Sequence, residues 1–139
     1  MLGGSENSGP TPLVLSDHFR CGVKEIDDEH AELVDILNAA LRPTADLSAL
    51  TELLQRFSAS FLRHCRNEEA YLRSIGYTRL DEHSRHHDDL NGHVATCRHD
   101  AASDLPAMRR AILALRDAFA DHVLYDLQYK SHIEDAHGR

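Results

Sequence analysis

LSALTELLQRFSASFLRHCRNEEAYLRSI, residues 47–75, decides the fold. Leu47, Leu50, Leu54, Phe57 and Phe61 recur in steps of three and four, and His64, Glu68, Tyr71 and Ile75 continue the same step. Residues so spaced share one face of an α-helix. The segment therefore predicts a long amphipathic helix whose buried stripe carries a histidine and a glutamate among leucines and phenylalanines.

Three other stretches repeat the pattern. Val23, Ile26, His30, Leu33, Leu37 and Leu41 form a first stripe, widened by Val34. Leu80, His83, His87, Leu90, Val94 and Cys97 form a third. Leu105, Met108, Ile112, Leu115, Phe119, His122, Asp126, Tyr129 and Ile133 form a fourth. Turn signals separate them. Gly22 precedes the first helix and Arg42-Pro43-Thr44 ends it, because proline removes a donor and disfavours helix at the residue before it. Asp46 suits the N-cap of the second helix and Gly76 its C-terminal stop. Thr78 or Asp81 can open the third, and Ser103-Asp104 with Pro106 in the first turn opens the fourth. Short links between long amphipathic helices predict an all-α, up-down-up-down antiparallel four-helix bundle. It is expected over residues 13–139, with residues 1–12 as a flexible leader.

All four stripes are apolar except at His30, His64, Glu68, His83, His87, His122 and Asp126. A single histidine on such a stripe is ordinarily a hydrogen-bonded core residue. Seven polar groups together are a different matter. Two carboxylates buried without a cation cost several kcal/mol each, no Lys or Arg lies on any stripe, and five clustered imidazoles cannot all be cationic. Residues four apart stand one helical turn apart on one face, which pairs His64 with Glu68, His83 with His87 and His122 with Asp126. Antiparallel helices can bring these pairs and His30 to one level of the bundle. A structural zinc uses four ligands, so seven groups are too many for one. Five imidazoles, two bridging carboxylates and one bridging oxygen leave a single position open on two octahedral ions, as a site for a small ligand requires. Nitrogen and oxygen donors without thiolate suit iron or manganese.

The bulk composition narrows the rest. A chain of 139 residues, 42% hydrophobic and 27% charged, is one domain of ordinary soluble make-up. A formal net charge of −8 disfavours nucleic acid or an anionic membrane surface as partner. The first 12 residues lack the basic start and apolar run of a secretory signal. Three cysteines without a CxxC pair predict reduced thiols and a cytoplasmic setting. Cys97 lies on an apolar stripe as core; Cys65 adjoins His64 and is the thiol to examine for a redox role. Of the 11 histidines, His18, His86, His93, His99, His132 and His137 lie off the stripes and are expected at the surface.

The motifs resemble those of the hemerythrins, specifically the single-domain bacteriohemerythrins. Gly22-Val23-Lys24-Glu25-Ile26-Asp27-Asp28-Glu29-His30 is similar to the family's G-V-x-x-I-D-x-Q-H. His64-Cys65-Arg66-Asn67-Glu68-Glu69 is similar to H-F-x-x-E-E. Gly76-Tyr77 followed by His83 and His87 is similar to G-Y-P and H-x-x-x-H, and His122-Val123, Asp126 and Tyr129 to H-I, D and Y. The resemblance covers roughly residues 13–133. It implies two iron ions with a bridging oxo or hydroxo group, His83, His87 and His122 on one ion, His30 and His64 on the other with the open position, and Glu68 and Asp126 bridging. Four features depart from the pattern: His122 and Asp126 are four residues apart where the family has five, Glu29 stands for Gln, Cys65 stands for Phe, and there is no tryptophan.

Reversible dioxygen binding by a monomer, for storage, delivery or sensing, is the function this implies, with Leu33, Phe61, Leu115 and Phe119 as a dry pocket for O2. The His-rich ligand set differs from the carboxylate-rich sets of di-iron oxidases, and no general acid or base other than the proposed ligands lies on a stripe, so an enzyme is not expected. Tyr71 and Tyr129 are candidate hydrogen-bond donors to the ligands. The alternatives are a di-iron oxidase, peroxidase or nitric-oxide-handling enzyme, and a sensor of O2 or redox state acting on a separate protein partner.

Overall fold

The computed structural model describes residues 11–100, 104–130, 132 and 133. Among them all regular structure is helical. Four long helices, α1 (Lys24–Ala40), α2 (Leu47–Ser74), α3 (Leu80–Asp100) and α4 (Leu105–Asp126), are flanked by two short 3-10 turns, Asp17–Phe19 and Leu127–Tyr129. Successive helices pack against each other and α4 packs back on α1. With the short links between them, this gives the expected antiparallel bundle. No described helix is long and apolar enough to cross a membrane.

Local chemistry fixes the helix ends. Asp46 Oδ1 accepts from Ala49 N at 2.9 Å and Asp104 Oδ1 from Ala107 N at 3.2 Å, so both expected N-caps occupy the cap position. At the end of α2, Gly76 N donates to Arg73 O and Tyr77 N to Leu72 O, the paired bonds of a Schellman motif. Gly76 takes the left-handed φ of +70° that this motif needs. The reversal carries Tyr77 to the underside of the bundle. Gly22, at φ +97°, lets Cys21 N and Gly22 N both donate to the Asp27 carboxylate at 2.9 and 3.2 Å, fixing the approach to α1. The start of α3 differs from expectation. Arg79 O takes the first helical bond, from His83 N, so the helix opens between Thr78 and Asp81 and neither caps it; Asp81 and Glu82 instead place negative charge in its first turn.

The apolar stripes meet in two clusters on either side of the polar septet. The larger runs from Leu33, Leu37, Leu50 and Leu54 through Phe57, Phe61, Met108, Ile112, Leu115 and Phe119. The smaller comprises Cys21, Val23, Ile26, Leu72, Tyr129 and Ile133, with Tyr77 and Leu80 packed against it. Leu72 is fully buried although it lies off the expected stripe, while Tyr71 on the stripe is only half-buried. The reason is the Schellman reversal, which brings Tyr77 into the cluster with Leu72. The flexible leader expected over residues 1–12 lies outside the described residues apart from Thr11 and Pro12. Thr11 O accepts from Arg116 at 3.0 Å and Leu13 exchanges two 2.8 Å bonds with the Asn38 amide, which straps this segment to α4 and α1.

Gly76→Ala tests the reversal. A Cβ there meets no atom within 4 Å, so the cost is conformational, roughly 1–2 kcal/mol for a left-handed non-glycine residue. Urea denaturation of the variant should show that loss with an unchanged slope.

Candidate metal centre

The seven polar stripe residues come together between the two apolar clusters, each between 0 and 2% exposed. The regular turns of the helices do this directly. α1 presents His30, α2 His64 and Glu68, α3 His83 and His87, and α4 His122 and Asp126, every pair four residues apart. All five imidazoles aim Nε2 inward. His83 Nε2 and His87 Nε2 each stand 2.8 Å from Glu68 Oε1, and His64 Nε2 stands 3.7 Å from the same oxygen. His30 Nε2 and His122 Nε2 each lie 3.0 Å from Asp126 Oδ2, and His83 Nε2 lies 3.1 Å from Asp126 Oδ1.

These contacts are close, but many are not hydrogen bonds. His30 Nδ1 and Nε2, His64 Nε2, His122 Nδ1 and Nε2, and both Asp126 carboxylate oxygens are buried with no hydrogen-bond partner. Buried polar atoms are nearly always satisfied. Lone pairs that converge at 3 Å without sharing a proton in good geometry are what ligands of a common ion present. Three overlapping groups of donors, each within 4.8 Å of one another, can be drawn from the septet: His30, His64, His122 and Asp126; His64, Glu68, His87 and His122; and Glu68, His83, His87 and Asp126. Every septet residue belongs to at least one. The donor set therefore fits more than one cation, with imidazole and carboxylate donors and no thiolate.

Asp126 keeps its place despite the short spacing from His122. α4 remains regular through Asp126 and tightens into the 3-10 turn only from Leu127, so Asp126 faces the centre one turn after His122. The tighter turn then returns Tyr129 to the interior, where its hydroxyl donates to Glu68 Oε2 at 2.6 Å. Tyr129 thus holds the position expected of a donor to a ligand. Tyr71 packs instead with the smaller apolar cluster.

Two glutamates whose contacts the sequence did not reveal hold the outer side of the imidazoles. Glu29 Oε1 lies 2.7 Å from His64 Nδ1, and Glu69 Oε2 lies 2.7 Å from His87 Nδ1. A carboxylate only accepts, so each Nδ1 donates a proton to it and the ring turns its Nε2 toward the centre, where the proton that bonds His87 Nε2 to Glu68 Oε1 is one that a metal ion would displace. Asn67 Nδ2 donates to the other oxygen of Glu29 at 2.6 Å, and Ser84 Oγ to the other oxygen of Glu69 at 3.2 Å. The only available signal was a carboxylate next to a ligand in each motif.

Two histidines expected at the surface are half-buried instead. His86 stacks on Tyr125 with ring centroids 4.1 Å apart, and the Tyr125 hydroxyl donates to Glu82 at 2.9 Å; together they cover His83 and His122 from outside. His132 Nε2 lies 3.1 Å from Ile75 O and its ring meets Tyr77 edge-on. Both lie on the flanks of a stripe, where a neighbouring helix overhangs. His18, His93 and His99 are exposed as expected, and His137 lies outside the described residues. Leu33, Phe61, Leu115 and Phe119 are fully buried against the centre's larger-cluster side, with the Phe61 ring 5.3 Å from that of His122 and Phe119 6.1 Å from His30.

Cys21, Cys65 and Cys97 are buried and form no disulfide with one another. Burial pushes the Cys21 thiol up to about 12 and the Cys65 thiol higher still, where the Glu68 charge adds to it. Both stay protonated and unreactive. Asn91 Nδ2 stands 3.7 Å from the Cys65 sulfur.

Without metal the centre must hold itself together with protons. Burial and the Asp126 charge push the Glu68 carboxyl up, but bonds from His83 and His87 prevail and hold it down at about 2. Burial pushes the His83 imidazole down, but Asp126 and Glu68 prevail and raise it to about 9. A base raised from 6.5 to about 9 contributes stability that is fully present below pH 6.5 and is lost as pH rises through 9; an acid lowered from 4.5 to about 2 contributes stability present above pH 4.5 and lost as pH falls to 2. The metal-free protein should therefore melt highest between pH 4.5 and 6.5 and lose stability toward pH 9. Metal replaces those protons, so calorimetry of the loaded protein should show the alkaline decline removed.

Residues 21–126 match the family model described as the hemerythrin HHE cation binding domain. The chain is also similar to a protein named Bacteriohemerythrin from Clostridium acetobutylicum, 30% identical over 84 residues, covering 56% of this chain and 65% of that protein. The chain thus spans a little under two thirds of the length of the curated relative it matches. No solved structure matches it.

Proposed function

The chain belongs to the hemerythrin family, and from that premise we propose that it binds dioxygen reversibly at a non-haem di-iron centre held by the buried septet. The observation that carries this reading is the convergence of inward Nε2 and carboxylate atoms that lack hydrogen-bond partners at the centre of the bundle. His83, His87 and His122 would hold one ion, His30 and His64 the other, and Glu68 and Asp126 would span both. Iron held by these residues would supply the electrons for reversible dioxygen uptake.

The chain's own residues favour binding over turnover. His30 and His64 would give one ion two imidazoles against three on the other, which would leave the position that a small ligand needs. Leu33, Phe61, Leu115 and Phe119 exclude water from that side, which limits proton entry. Below His30, a cavity of about 90 Å³ lined by Leu15, Ser16, Phe19 and Arg20 gives a diatomic molecule an approach. The nearest hydroxyl, Tyr129, is committed to Glu68 and is pushed far above its ordinary pKa by burial and the two carboxylates, so it is no proton donor for turnover. The buried thiols, which form no disulfide with one another, suit a reducing, cytoplasmic compartment.

Metal analysis combined with optical spectroscopy tests this. We expect about two iron ions per chain, the complement of di-iron bundle sites, and an air-formed absorption that bleaches on deoxygenation. Binding of a lone zinc, or immediate irreversible oxidation, would overturn the reading. Glu68→Ala should leave iron at background, since it removes a group shared by both ions. Asp126→Ala should do likewise, and wild-type iron content in that variant would remove Asp126 from the ligand set.

A further inference from the structure

Glu29 does more than fill the α1–α2 seam. Its carboxylate stands 2.7 Å from His64 Nδ1, and the imidazole behind that bond is fully buried. Its other oxygen is fixed by Asn67 Nδ2 at 2.6 Å. The group is thus held from both sides, aimed at one ring nitrogen, and only 17% exposed. We propose that Glu29 is the positioning residue that sets the redox poise of the ion held by His30 and His64, biasing it toward the oxidised state. This rests on the di-iron reading above.

A charged acceptor draws the Nδ1 proton away from the ring and is roughly twice as strong a partner as a neutral one. The Nε2 lone pair becomes correspondingly more basic. A more basic donor with anionic character stabilises a trivalent ion more than a divalent one. The carboxylate's direct Coulomb field has the same sign. That field is weakened by partial exposure, but the polarisation runs through the covalent ring and is not screened. His30, the partner imidazole on the same ion, has no acceptor at Nδ1, so His64 is the tunable donor there. Glu69 does the equivalent for His87, but on the ion that three imidazoles complete. The two glutamates therefore act on different ions, and only Glu29 acts on the one with the vacancy. A glutamine at position 29 would accept the same hydrogen bond without the charge, so Glu29→Gln isolates the charge from the geometry.

The test compares wild type, E29Q and E69Q. E29Q should retain two iron ions, raise the midpoint potential by about 59 mV, equivalent to about a tenfold change in a one-electron equilibrium constant, and slow autoxidation several-fold. E69Q should move the potential while leaving the autoxidation rate closer to wild type. A readout independent of oxygen chemistry comes from zinc-loaded wild type, in which the His64 Nδ1 proton should resonate far downfield and exchange slowly, and should move upfield in E29Q. An iron-loaded E29Q with unchanged potential and autoxidation overturns the proposal alone. An ordinary, fast-exchanging His64 proton in the zinc form also overturns it, even where E29Q proves unstable. Wild type that takes up no iron overturns the di-iron reading first and this inference with it.

Discussion

Two carboxylates, Glu68 and Asp126, sit side by side in the middle of a helical bundle with no arginine or lysine among the described residues paired to them. Each would cost several kcal/mol to bury unpaired, as much as the burial of one or two large apolar side chains returns. Positive charge at their shared centre is therefore a condition of the fold. Protonated imidazoles supply part of it, as the raised His83 shows. They cannot supply all of it, because five of them crowd one volume and repel: His122 is pushed down by burial and, more weakly, by His87. The arrangement is a compromise between protons and repulsion that bound cations would resolve.

That constraint explains features which otherwise look unrelated. The apolar clusters above and below the septet make it dry, and dryness strengthens every ligand contact. It also raises the penalty for any ligand atom left without a partner. The Schellman reversal at Gly76 and the 3-10 turn at Leu127–Tyr129 are the devices that close the smaller end. One brings Tyr77, the other Tyr129, and their rings meet edge-on beneath Glu68. Glu29 and Glu69 sit on the outer side of the imidazoles, each partly exposed. The sequence of layers, from partly exposed carboxylate through buried imidazole to the inward Nε2 atoms, is the same on α1–α2 and on α2–α3.

Periodicity made the septet and the four stripes legible, because a helical face is a property of one chain segment. Asp46, Gly76 and Asp104 were legible for the same reason: caps are local. What periodicity does not report is who stands opposite. Glu29 meets His64 across 35 residues of sequence, and nothing in the spacing of either helix marks that pair. His86 and His132 looked like surface residues because they lie off the stripes, yet a stripe's edge is covered wherever the next helix or a chain reversal overhangs it. Leu72 is the same case at the end of α2. Local signals do not place the start of α3, because two good capping residues, Thr78 and Asp81, bracket a helix that begins between them.

The four-residue step from His122 to Asp126 shows how a local departure is absorbed. An aspartate side chain is short, so its carboxylate reaches the centre only if its Cα lies on the inner face. In a regular helix four residues advance about 400°, 40° past a full turn, and the side chain still faces inward. Asp126 then contacts His30, His83 and His122, imidazoles from three helices. The chain must nevertheless regain Tyr129 beneath Glu68 within three more residues. A 3-10 turn advances 120° per residue against 100° in the α-helix, so three residues complete one full turn and bring Tyr129 onto the same face as Asp126. The 3-10 turn thus sets Tyr129 in line with Asp126, where an α-helical turn would leave it about 60° short of that line.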